Sequence, residues 1–106
     1  MSAVAETEPR THLVLLTPDV RVMHYVMAPG EAHTWHHHTE VTDHIYCLEG
    51  TLALEFRDPP RTERLAQGDG GLVSPGTVHR VANPGTGRGR YLLVQGIGKY
   101  DYVKTG

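Results

Sequence analysis

HTWHHHTEVTDHIYCLEG, residues 33–50, sets five of the chain's eight histidines among acids and then enters an apolar run. The run of three histidines is internal and framed by strand-like sequence, which excludes a purification tag. A metal site and a solvated surface loop remain. In an extended strand successive side chains alternate, so His36 and His38 share one face and His37 points to the other. Two imidazoles at i and i+2 inside a narrow barrel converge on one point, the geometry of a bidentate strand site. Asp43, beyond the four-residue connection 39–42, can enter from the adjoining strand. A fourth ligand must come from a distant segment, and SPGTVHRVAN (74–83) offers His79 just after a tight turn. Neutral imidazole with one carboxylate suits Mn, Fe(II), Co, Ni or Zn. The spacing by itself leaves the metal reading and the solvated reading open.

Outward from this stretch, glycine and proline punctuate the chain at APGE (28–31), LEGT (48–51), DPPR (58–61), GDGG (68–71), SPGT (74–77) and NPGTGRG (83–89). Between them lie short segments rich in Val, Leu, Tyr and Thr. Strands are expected over 12–18, 20–28, 33–39, 44–50, 51–58, 62–66, 70–75, 77–83 and 90–98. In 51–58, Leu52, Leu54 and Phe56 alternate with Thr51, Ala53, Glu55 and Arg57, the period of a strand with one buried face. No window has helical periodicity, so the fold class is all-β, a sandwich or barrel. Residues 1–10, small, polar and acidic, are expected to form a disordered tail, and 11–106 a single domain. KYDYVKTG (99–106) alternates aromatic and polar residues and reads as an extra strand or a partner-binding arm. A short all-β barrel leaves edges that need covering, and pairing with a second copy is one remedy, so a homodimer is expected.

Composition narrows the partners. The ten Lys and Arg are scattered and net charge is −2, so no basic stripe tracks phosphates and nucleic acid is not an expected partner. The longest apolar runs, such as LVLL at 13–16, are too short to span a bilayer. MSAVAETEPRTH lacks the basic start and apolar centre of a signal peptide, so a cytoplasmic location and no membrane partner are expected. Cys47 is alone, which excludes an intrachain disulfide. His44 lies three residues from it along an extended strand, about 10 Å away, so a buried, inert thiol is expected.

Two patterns in the chain resemble the motifs of the cupins. The first runs Gly30, five residues, His36-His37-His38, four residues, Asp43, six residues and Gly50; it departs from the family pattern only in having Asp where Glu is usual. The second runs Gly68-Asp69, GGLV, Ser74-Pro75-Gly76, two residues, His79, three residues and Asn83, with Ser74 at the first proline position of the turn. Together they cover residues 30–83, in the family's order. The resemblance implies a six- to eight-stranded antiparallel jelly-roll (cupin) β-barrel. It also implies a divalent transition metal, Fe(II), Mn, Ni or Zn, held by His36, His38 and His79 with Asp43 at the carboxylate position. Asp is one methylene shorter than Glu. Three-histidine centres in this superfamily include Fe(II) dioxygenases, and three-histidine, one-carboxylate centres include Mn and Ni enzymes, so whether Asp43 reaches the metal matters.

The resemblance further implies a pocket for a small-molecule substrate. His44, Tyr46, Tyr91 and Gln95 are its candidate residues, with Met23, Met27 and Arg80 depending on strand parity. His37 and His44 have opposite parity from the proposed ligands, so His44 enters only as a reserve ligand or a proton carrier at the pocket mouth. His33 and Trp35 flank the motif and either line the entrance or pack. No Ser or Lys is placed with a base as a nucleophile. The first functional expectation is an oxidoreductase of dioxygenase type on a small organic substrate. The alternatives are a non-redox lyase, isomerase or cyclase, and a binding module without turnover.

Overall fold

The computed structural model describes residues 10–106, so the tail expected over 1–10 lies, except for Arg10, outside the described residues. Ten strands follow in chain order: β1 (Thr11–Leu16), β2 (Val20–Met27), β3 (His36–His37), β4 (Thr42–Glu49), β5 (Leu52–Arg57), β6 (Pro60–Leu65), β7 (Gly70–Val73), β8 (His79–Ala82), β9 (Gly89–Gly96) and β10 (Val103–Lys104). They form two antiparallel sheets, ordered β1-β2-β9-β4-β7 and β10-β3-β8-β5-β6. Among the described residues there is no helix, and hence none long and apolar enough to cross a membrane.

This is the jelly roll, with ten strands where six to eight were expected. The surplus comes from the two-residue strands β3 and β10 that finish the second sheet. The sheets are hydrogen-bonded within themselves and meet through side chains. Met23, Met27, Ile45, Cys47, Tyr91 and Leu93 of the first pack with Leu52, Leu54, Phe56, Leu65 and Val81 of the second in one core. Alternation selects these residues: β9 is buried at Tyr91, Leu93 and Gln95 and only half-buried between them. The expected one-faced pattern of β5 fails at Ala53, which is buried although it points away from the core; its small side chain is covered where β5 lies between β6 and β8.

Register sets the rows that matter for function. In the first sheet Arg21 pairs with Gln95, and Gln95 with Asp43. In the second His36 pairs with His79, and His79 with Phe56. Two turns lock the ends of these rows. Gly76 adopts φ +82°, a left-handed conformation that costs other residues free energy. Its amide donates to the carbonyl of His38 at 2.7 Å, tying the turn before β8 to the end of the first histidine segment. Gly50, at φ +78°, has no room for a side chain, because a Cβ there would lie 2.7 Å from the Arg88 carbonyl oxygen.

Candidate metal centre

His36 on β3 and His38 just after it point to the same side, His79 opens β8 beside them, and Asp43 enters from the facing sheet. All four are buried, and one donor atom from each lies within 4.8 Å of every other. His79 Nε2 is 2.9 Å and His38 Nε2 3.3 Å from Asp43 Oδ2. Ligand atoms about 2.1 Å from a common ion stand roughly 3–4 Å apart, so the cluster has the dimensions of a coordination sphere. Asp43, shorter than the usual Glu, does bring its carboxylate into the group.

The outer nitrogens fix how the rings present themselves. His36 Nδ1 donates to the Thr34 carbonyl at 2.7 Å, His38 Nδ1 to the Asp101 carbonyl at 2.6 Å, and His79 Nδ1 to the Thr77 carbonyl at 2.8 Å. A carbonyl only accepts, so each Nδ1 carries its proton and each Nε2 is the nitrogen offered to the centre. Gln95 completes the support: its Nε2 donates to Asp43 Oδ1 at 2.9 Å, which leaves Oδ2 facing the imidazoles. The donor set, three neutral-type nitrogens and one carboxylate with all outer hydrogen bonds made, fits a divalent transition metal.

Electrostatics follow from burial and pairing. Burial dominates at His36 and lowers its pKa to about 4. At His38 burial also lowers the pKa, but the hydrogen bond and charge of Asp43 outweigh it and the net shift is upward. Burial works against ionisation of Asp43, yet hydrogen bonds from His38, His79 and Gln95 hold its pKa well below the usual carboxylate range. The carboxylate therefore favours its charged form, and that charge favours the protonated form of His38, with which a cation at the centre would compete.

A cavity of about 270 Å³ adjoins the centre, lined among others by Arg21, Tyr25, His33, Tyr91, Gln95 and Tyr102. Tyr91 and Gln95, candidates from sequence, are part of this wall. His44 and Tyr46 are not. They share a face of β4 opposite to the buried Asp43, Ile45 and Cys47, and Tyr46 is 43% exposed on the outside of the sheet. Met23 and Met27 belong to the core, and Arg80 points outward to Glu55 at 2.7 Å and over the ring of Trp35. Trp35 thus packs, whereas His33 lines the cavity. Cys47 is buried, with its thiol pKa raised by that burial. Asn83, the last residue of the second motif, holds loops: it donates to the carbonyls of Met27 and Gly87 and accepts from the Gly85 amide.

Sequence reasoning missed four contributors. Arg21 and Tyr25 share the inward parity of Met23 and Met27 on β2, a signal that was present. Tyr100 and Tyr102 lie on the C-terminal segment, whose alternation reads as an extra strand or a partner-binding arm without naming the cavity it lines. The segment forms β10 on β3, and Tyr102 stacks on His36 with ring centroids 4.4 Å apart.

Comparison with known proteins agrees with this geometry. The family model described as "Cupin domain" matches residues 23–95. Protein YdbB of Bacillus subtilis (strain 168), itself uncharacterised, is 40% identical over 47 residues, spanning 44% of this chain and 41% of that protein. A conserved protein with a double-stranded β-helix domain from Klebsiella pneumoniae superposes with TM-score 0.82 at 24% identity, over 94% of this chain and 86% of that one. An oxalate oxidase does so with TM-score 0.75 at 16% identity, over 82% and 46%. The polyketide cyclase RemF of Streptomyces resistomycificus gives TM-score 0.72 at 22% identity, over 85% and 63%. At such identities the solved structures show the fold. The family model covers most of the chain, both histidine segments included, and the chain belongs to the cupin family.

Proposed function

We propose that this protein is a metal-dependent oxidoreductase of dioxygenase type acting on a small organic substrate. The observation that carries the reading is the convergence of three Nε2 atoms and one carboxylate oxygen beside a cavity of about 270 Å³. His36, His38, His79 and Asp43 would hold the ion, and Fe(II), Mn or Ni would suit an oxidising role. When bound, such an ion supplies a Lewis acid and a route for electrons between an organic substrate and dioxygen. The chain's own groups do the rest. The backbone carbonyls of Thr34, Thr77 and Asp101 hold the imidazoles in one tautomer, and Gln95 fixes the rotation of the Asp43 carboxylate. Tyr25, Tyr91, Tyr100 and Tyr102 form much of the wall of the cavity.

Elemental analysis of untagged protein purified without added metal tests the site, and oxygen consumption by Fe(II)-loaded protein with small carboxylates and enolisable compounds tests the reaction. One equivalent of transition metal and substrate-dependent oxygen uptake, both lost in His36→Ala, are expected. Metal content unchanged in the double variant His36→Ala, His79→Ala would remove the site from consideration. The shared fold of a polyketide cyclase supports a second reading, a non-redox cyclase, lyase or isomerase. It is favoured if turnover persists anaerobically with Zn or Mn. Metal and ligand binding without turnover would instead mark a binding module. We further propose a homodimer, from the exposed apolar face of the first sheet described below.

A further inference from the structure

We propose that Arg21 is a carboxylate anchor in the cavity beside the metal centre, and that the cavity takes a small planar carboxylate. The inference names the substrate class for the centre and rests on the reading of His36, His38, Asp43 and His79 as the place of reaction. Cross-strand register puts Arg21, Gln95 and Asp43 in one row on the inward face of β2, β9 and β4. Two strand spacings, about 10 Å, separate the backbone of Arg21 from that of Asp43. A molecule of a few atoms' length can therefore reach from one to the other.

Arg21 is the one permanently charged side chain among the described residues lining this cavity. Several other arginines have counter-ions: Arg10 with Glu31, Arg61 with Glu63, Arg80 with Glu55, Arg90 with Glu49. Arg21 has no carboxylate at ion-pair distance among the described residues. Of its five N–H donors, one is given to Gln95 Oε1. The guanidinium carbon lies over the Tyr100 ring, 4.1 Å from its centroid. The other N–H donors of Arg21 have no carboxylate partner among the described residues, and a guanidinium binds a carboxylate through two parallel hydrogen bonds.

The walls select shape. Tyr25 and Tyr91 stack with centroids 5.1 Å apart, and His33 meets both edge-on. His33 Nε2 is buried without a hydrogen-bond partner among the described residues and offers one polar contact to whatever fills the space. The volume, about 270 Å³, falls below the roughly 300–1,000 Å³ of sites for drug-sized ligands. Anion at one end, metal-directed donor at the other and a flat unsaturated body between aromatic rings describe the occupant.

Calorimetric titration with benzoate tests the anchor, using benzamide as the neutral isostere and cyclohexanecarboxylate as the non-planar acid. Both the Zn-loaded protein and protein stripped with chelator are titrated. Benzoate is expected to bind the wild type, with Arg21→Gln weaker by about tenfold or more and Arg21→Lys in between. Benzamide and cyclohexanecarboxylate should each bind the wild type less tightly than benzoate, and Arg21→Gln should retain wild-type metal content. Absence of benzoate binding, equal affinity in wild type, Arg21→Gln and Arg21→Lys, or benzamide matching benzoate overturns the anchor. Cyclohexanecarboxylate matching benzoate overturns the planar class. If neither wild type nor Arg21→Gln holds metal while benzoate still distinguishes them, the metal reading falls and the anchor stands. Metal retained with affinity indifferent to Arg21 gives the reverse.

Discussion

At the scale of single residues, the centre sets protons against metal. Asp43 stays ionised and raises the pKa of His38, while burial takes His36 down to about 4. His36 is thus ready to bind at any ordinary pH, and His38 is the ring that must give up a proton. Lowering the pH favours the protonated ring, so metal affinity weakens as pH falls. Because the His38 shift is upward, the loss begins above the ordinary imidazole value of about 6.5. Titration of Co(II) into metal-free protein between pH 8 and 5.5 should follow this direction and release protons on binding. An affinity flat across that range would contradict it. Gln95 acts one bond further out. Gln95→Leu removes the donor to Asp43 Oδ1 and frees the carboxylate to rotate, which should weaken metal binding by roughly 10- to 100-fold. Competition with a chelating dye measures it, and an unchanged dissociation constant would deprive Gln95 of its positioning role.

Among the elements, the C-terminal segment contributes more to the centre than its position at the edge of a sheet suggests. Only Val103 and Lys104 pair with β3, yet the Asp101 carbonyl receives His38 Nδ1 and Tyr102 covers His36 and hydrogen-bonds Thr34. The Asp101 side chain pins this segment by accepting from the Thr39 amide at 2.8 Å and the Thr39 hydroxyl at 2.7 Å. Asp101→Ala should loosen the segment, leave His38 free to rotate and weaken metal binding by about tenfold, read by the same dye competition. The chain's order explains what the sequence disclosed. His36 and His38 are two residues apart and their alternation is a local property of extended backbone, so parity sorts them from His37, whereas Asp43, beyond the connection, was legible through the spacing of the motif. His79 was legible through the tight turn at Gly76 and the motif around it. The partnership of Arg21 with Tyr100, and of Tyr102 with His36, depends on which strands become neighbours across the whole chain. Periodicity carries no such information, and inward parity on β2 or on the C-terminal segment names a face without naming what it faces.

Across the whole molecule the two sheets differ in what they show to solvent. The second sheet carries an ion pair on its outer side, Glu55 with Arg80. The outer side of the first carries Glu49 with Arg88 and Arg90 at one end and an apolar stretch beyond them: Tyr46 pairs with Leu92, and His44 with Leu72 and Val94, while Tyr46, Leu48 and Leu72 are exposed. At its edge β1 is exposed throughout, with Leu13, Val14, Leu15 and Leu16 at 49–61% exposure. Four consecutive exposed apolar residues on an edge strand would invite open-ended association unless something covers them. A second copy related by a twofold axis would cover face and edge at once and close the assembly, because each chain would offer the same surface it needs. The polar His44 lies within that surface, which gives it a place in the fold apart from the metal. Light scattering on the eluting protein should therefore report twice the chain mass. Leu72→Arg, by placing a charge in the middle of the face, should shift it to the monomer without loss of bound metal, since Leu72 points away from the centre. A wild-type chain that elutes as a monomer at micromolar concentration would leave the apolar face to some other partner.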